Sequence, residues 1–157
     1  MTSLLPAFLA ATLAIGQASS VPLKPDFTGT WALDRGRSAS TNPGERLDIK
    51  QTDNEIVVEM TRDGKPSTRT YPIDPSARPS TGVSADGSSR AYWVGAKLVT
   101  EGLGTVQGQT VSTRETLALN PAGTEMTVER LVVVQHGYSF RGARNYGTAK
   151  DVYTRSR

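Results

Sequence analysis

From Phe27 onward the chain alternates apolar and polar residues with a period of two. Phe27, Gly29, Trp31 and Leu33 fall on one face of an extended segment, and Thr28, Thr30, Ala32 and Asp34 on the other. Residues 35–44 are rich in Ser, Asn, Pro and Gly and predict a loop. Leu47 and Ile49 then alternate with Asp48 and Lys50. Thr52-Asp53-Asn54 turns the chain, and Ile56, Val58 and Met60 alternate with Val57 and Glu59. Asp63-Gly64 predicts a tight hairpin, because both residues tolerate the positive φ of a primed turn. Arg69, Tyr71 and Ile73 continue beyond it.

Residues 75–89 form a second irregular stretch. Strand pattern resumes at 90–94 and 97–101, and residues 102–108 predict a glycine-rich loop. The two longest strand segments, 110–119 and 124–134, flank Asn120-Pro121-Ala122-Gly123, a typical turn composition. His136-Gly137 turns the chain again, and 138–146 and 150–155 end it. No window after the first 20 residues carries a 3.6-residue apolar period. The pattern predicts an all-β fold of eight or nine short strands. Sequential hairpins favour an antiparallel up-and-down β-barrel of about eight strands, which closes away its exposed edges. A two-sheet β-sandwich is the alternative architecture.

The amino-terminal stretch breaks this pattern. Its first 18 residues contain no Asp, Glu, Lys or Arg, residues 4–15 are almost wholly apolar, and Gly16-Gln17-Ala18 presents small residues where a signal peptidase reads them. The run is short for a membrane span. It predicts a signal peptide over 1–18, a single domain over 19–157, and a periplasmic or secreted protein without a stable membrane anchor after cleavage. A buried amino-terminal helix and a retained anchor are the alternatives. The 157 residues suffice for one domain with its own core. With no cysteine, the chain has no disulfides and no thiolate metal site. Although the pI is about 9.4, the 18 Lys and Arg are spread among 15 Asp and Glu, which argues against a nucleic-acid partner.

The segment Phe27-Thr28-Gly29-Thr30-Trp31-Ala32-Leu33-Asp34 resembles the first strand of the calycin superfamily, with its Gly-x-Trp opening. More closely, the chain looks like small exported bacterial lipocalin-like proteins. Leu47-Asp48-Ile49-Lys50-Gln51 and Gly123-Thr124-Glu125-Met126-Thr127-Val128-Glu129-Arg130 match their later segments in order. The resemblance implies a closed barrel with a cavity for one small, mostly apolar molecule, and no particular reaction. In calycins the first-strand Trp packs beneath an Arg from the end of the barrel. Trp31 matches the Trp, and Arg155, or else Arg141, matches the Arg, which implies a structural closure. Fatty-acid-binding proteins end on Arg-x-Tyr. Here Val152-Tyr153 resembles that ending with Asp151 in place of the Arg, and Arg144-Asn145-Tyr146 supplies an Arg-x-Tyr one strand earlier.

The residues around Pro121-Ala122 suggest a register. If Leu119 faces Thr124, then Leu117 pairs with Met126, Glu115 with Val128 and Thr113 with Arg130, while Arg114 opposes Glu129 on the other face. Glu115 and Arg130 then lie diagonally on an apolar face. They are either a polar anchor for a ligand, a structural ion pair in a filled barrel, or a solvent-facing pair after a one-residue slip. Tyr71, Trp93, Arg144 and Tyr146 join them as candidate ligand-binding residues. The single His136 lies in a turn. The sequence offers no metal site, no Ser-His-Asp set and no cofactor motif. Three functions follow: a carrier of a small hydrophobic molecule, a filled barrel serving structure or protein interaction in the cell envelope, and a barrel enzyme using Glu115 as base and Arg130 as charge stabiliser.

Overall fold

The structure, a computed structural model, describes residues 24–41, 43–78, 89–106, 109–134 and 146–156. Nine strands are described: β1 Gly29–Leu33, β2 Arg46–Gln51, β3 Glu55–Arg62, β4 Lys65–Pro72, β5 Arg90–Val94, β6 Lys97–Val106, β7 Gln109–Leu119, β8 Glu125–Val134 and β9 Tyr146–Arg155. They form one antiparallel sheet in the order β4-β3-β2-β1-β9-β8-β7-β6-β5. Every sequential neighbour except β4 and β5 pairs as a hairpin would, and β9 returns to pair with β1. The result is an up-and-down barrel, not a sandwich, because a single sheet curls until its ends meet. Its edges, β4 and β5, touch through one parallel bridge, Ile73 to Ala91. The barrel is nearly closed, with a seam between them.

The inner face follows the predicted alternation. Phe27, Trp31, Leu47, Ile49, Ile56, Leu98, Leu117, Met126, Val128 and Tyr153 are buried together. Asp63 and Gly64 take φ of 49° and 71°, the left-handed pair expected of their hairpin.

Three expectations need correction. Residues 102–106, read as part of a glycine-rich loop, belong to β6 and pair with β7. Glycine lowers strand propensity, but here its missing side chain makes room: a Cβ on Gly104 would stand 3.4 Å from Arg69 Nη2, and one on Gly102 3.0 Å from Ser89 Oγ. The β7–β8 register also differs. Leu119 pairs with Met126, Leu117 with Val128, Glu115 with Arg130 and Thr113 with Val132. Arg114 faces Leu131, and Glu129 faces Thr116. The cause lies in the turn, where Asn120 N–H donates to Glu125 O and the Asn120 side-chain oxygen accepts from the N–H groups of Thr124 and Glu125. Thr124 is thereby held in the loop. The shift is even, so each side chain keeps its predicted face. Finally, β9 is one strand of ten residues starting at Tyr146.

Closure joins the two ends of the chain. The Arg155 guanidinium lies over the Trp31 ring, 4.3 Å from its centroid. It donates to the backbone oxygens of Gly123, Thr28 and Asp26, at 2.9, 2.5 and 3.2 Å. The Trp31 indole N–H donates to Phe27 O, so the plug's one buried donor is satisfied.

Candidate functional site

Above the apolar plug, the inward positions of β6, β7 and β8 form a polar belt. Thr100 pairs with Glu115, and Glu115 with Arg130. Arg130 Nε donates to Glu115 Oε1 at 2.6 Å, and Arg130 Nη1 lies 3.7 Å from the fully buried Asp151 Oδ2 on β9. Burial works against the Arg130 charge, but the adjacent Glu115, Tyr153 and Asp151 outweigh it and raise its pKa. Tyr71 enters the same space from β4. Burial, then the nearby Glu115 charge, push its phenol upward. The belt therefore meets the requirement for buried charge, each ion facing its opposite.

The internal cavity at this belt is about 10 Å³, bordered by Thr100, Glu115 and Arg130 and by apolar residues that include Val58, Met60 and Val128. That is the space of about one water molecule. A larger groove, about 520 Å³, lies on the outer side of β7–β9. Among the described residues, outward Arg114, Thr116, Glu129, Leu131 and Lys150 border it, with Ala39 at its rim.

The candidates named from sequence separate into groups. Glu115 and Arg130 border the internal cavity, and Tyr71, buried on β4, lies within the field of their charges. Trp93 packs at the closed end instead, its ring 6.2 Å from Phe27 and beneath Lys24 Nζ. Tyr146 takes an outward, exposed position, because it shares the alternate face of β9 with Thr148 and Lys150 while Gly147, Ala149 and Asp151 point inward. Arg144, Arg141 and His136 lie outside the described residues, as does the predicted signal segment 1–18.

Four features escaped the sequence reading. Arg69-Thr70-Tyr71 is an Arg-x-Tyr on β4 in which Tyr71 is buried while the exposed Arg69 reaches across the seam to Gly104. Asp151 accepts from the Ser40 N–H at 3.0 Å and the Ser40 hydroxyl at 2.5 Å. Residues 35–41, read as a plain loop, open with a single 3₁₀ turn, Arg35–Arg37, capped by Asp34, and then run along β9. On the outer face Glu101 is fully buried, held by Arg90 at 2.8 Å, Arg114 at 2.6 Å and the Tyr92 hydroxyl at 3.1 Å. Burial alone would raise the Glu101 pKa. The hydrogen bonds from Arg90 and Arg114 overcome it and hold the carboxyl below its ordinary value. Arg-x-Tyr was visible as a string, whereas the Ser40 and Glu101 contacts had no local signature.

No protein-family model matches the chain. No curated protein matches it either. A solved structure titled "REP1-NXSQ fatty acid transporter" is similar over 83% of this chain and 96% of its own, with 9% identity and a TM-score of 0.42.

Proposed function

We propose that this protein is an exported lipocalin-like barrel that binds a small, mostly apolar molecule in its interior, with the polar end of that molecule at the Glu115–Arg130 belt. One observation carries the reading: a charged pair, with Thr100 beside it, borders the internal cavity among otherwise apolar lining residues. A barrel needing only stability gains little from burying such a pair, since apolar residues of similar volume serve as well or better. A ligand site needs a few placed polar groups in apolar surroundings. The first-strand Gly-x-Trp resemblance supports the same class.

The small cavity favours a second reading. At about 10 Å³ the interior is filled with side chains, which suits a structural or protein-interaction module of the envelope. Native mass spectrometry of the exported protein, before and after organic extraction, separates the two. A small molecule lost on extraction supports the carrier. An apo mass, with no thermal shift from a panel of lipids and aromatic compounds, selects the filled barrel. The same spectrum tests export, because cleavage after Ala18 gives a chain beginning at Ser19.

A further inference from the structure

The barrel wall is incomplete beside β9. Strand β1 has five residues and β9 ten, and the two pair only at Trp31–Arg155, Ala32–Thr154 and Leu33–Tyr153. Beyond Leu33, no strand among the described residues lies between β9 and β2. The segment after β1 fills it. Asp34 N–H donates to Val152 O, and Ala39 N–H donates to Lys150 O. The Ser38 hydroxyl accepts from Val152 N–H at 3.0 Å. Pro43 and Gly44 are buried where this segment rejoins β2, and Gly44 O accepts from the Tyr153 hydroxyl.

Among the described residues of this strap, one side chain engages the belt. Ser40 binds Asp151 through its backbone N–H and its hydroxyl, and its Oγ lies 3.4 Å from Arg130 Nη1. Arg130 in turn holds Glu115 at the cavity. A continuous polar chain therefore runs from the wall-filling segment to the internal space. The strap has few strand-type hydrogen bonds, while β2 with β3 and β9 with β8 pair residue by residue on either side of it, so it is the part of this wall that opens at least cost.

We propose that residues 35–41 form the access door to the barrel interior, and that the Ser40–Asp151 contact is its latch. Release of Ser40 uncovers Asp151 and Arg130 from the side and leads directly to the Glu115–Thr100 cavity. The proposal deepens the reading of the interior as a ligand site. It differs from access through the β4–β5 seam, which lies on the other side of the barrel and does not involve Ser40.

The absence of native cysteine allows a direct test on the full chain. Single thiols are placed at the cavity by Thr100→Cys and, separately, by Val128→Cys. A control thiol is placed at the closed end by Ile56→Cys. Each is labelled with methyl methanethiosulfonate, with Ser40 intact, with Ser40→Ala and with Ser40→Thr. The expected result is labelling of the cavity thiols at least about tenfold faster with Ser40→Ala, a rate near the original with Ser40→Thr, and an unchanged rate at the closed end. An unchanged cavity rate with Ser40→Ala overturns the proposal, and so does equal acceleration at cavity and closed end, which reports general loosening. Two cavity positions guard against one variant failing to fold. Ligand retention in native mass spectra is read separately: a latch that works in a protein retaining nothing leaves the door in place and removes the carrier.

Discussion

Arg130 faces two carboxylates, Glu115 at 2.6 Å and Asp151 at 3.7 Å, from a largely buried position. The three single and double replacements therefore differ in a defined order. Arg130→Met leaves two inward acids without their cation and is expected to cost about 3 kcal/mol or more in urea unfolding. Glu115→Gln keeps a hydrogen-bond acceptor and leaves Asp151 paired, so its cost is smaller. The double variant Glu115→Leu/Arg130→Met recovers the part of the loss due to Glu115 only, because the buried Asp151 still lacks its cation and keeps just the Ser40 hydrogen bonds. Equal costs for the two single variants would show that Asp151 draws nothing from Arg130. Glu101 gives a pH signature. Its folded pKa lies below the ordinary 4.5, so the stability it contributes is complete above that pH. As pH falls below 4.5 the unfolded chain takes up the proton first, and that stability drains away through the folded value. Glu101→Gln should flatten the fall of unfolding free energy below pH 4.5. An unchanged acid slope would refute the assignment.

At the scale of elements, the contact that closes the barrel depends on a bare backbone position. Gly29 opens β1 with φ of 140°, and a Cβ there would stand 2.8 Å from Arg155 Nη1. Gly29→Ala is expected to lose about 1–3 kcal/mol through strain and displacement of the guanidinium from Trp31, measured by thermal unfolding and by the Trp fluorescence maximum. A neutral result would mean that Arg155 moves aside without loss. The elements also show what the sequence could and could not tell. Strands β1 to β3 were legible because one face of each is apolar, and β4 because it follows the Asp63-Gly64 hairpin, although Tyr71 is its one buried residue. The end of β6 was not, because its glycines exist to admit Arg69 and Tyr71 from β4, a partner distant in the chain. The facing of Glu115 and Arg130 was legible from alternation. Their direct pairing was not, because the Asn120 side chain decides how many residues the turn consumes. Ser40 and Asp151 are 111 positions apart, with nothing local to mark either.

For the whole molecule, the sheet order makes stability uneven. Strands β7 and β8 are paired on both sides over nearly their full length. Among the described residues β4 is paired only with β3, and toward β5 it offers an edge whose one neighbouring bridge is Ile73–Ala91. Lys65, Pro66 and Arg69 discourage that edge from pairing with another chain, because Pro lacks a donor and the cations repel a second copy. The edge is thus left exposed to water instead of being covered. Native-state hydrogen exchange should order the strands accordingly. The β4 amides that point away from β3 should exchange roughly a thousandfold faster than those in the middle of β7 and β8, whose exchange should track global unfolding. Stabilising the fold with osmolyte should slow the β7 and β8 amides and leave the β4 edge nearly unchanged, since exchange there requires no unfolding. Uniform protection around the sheet would mean that the seam is closed by backbone pairing in solution and that the barrel presents no open edge.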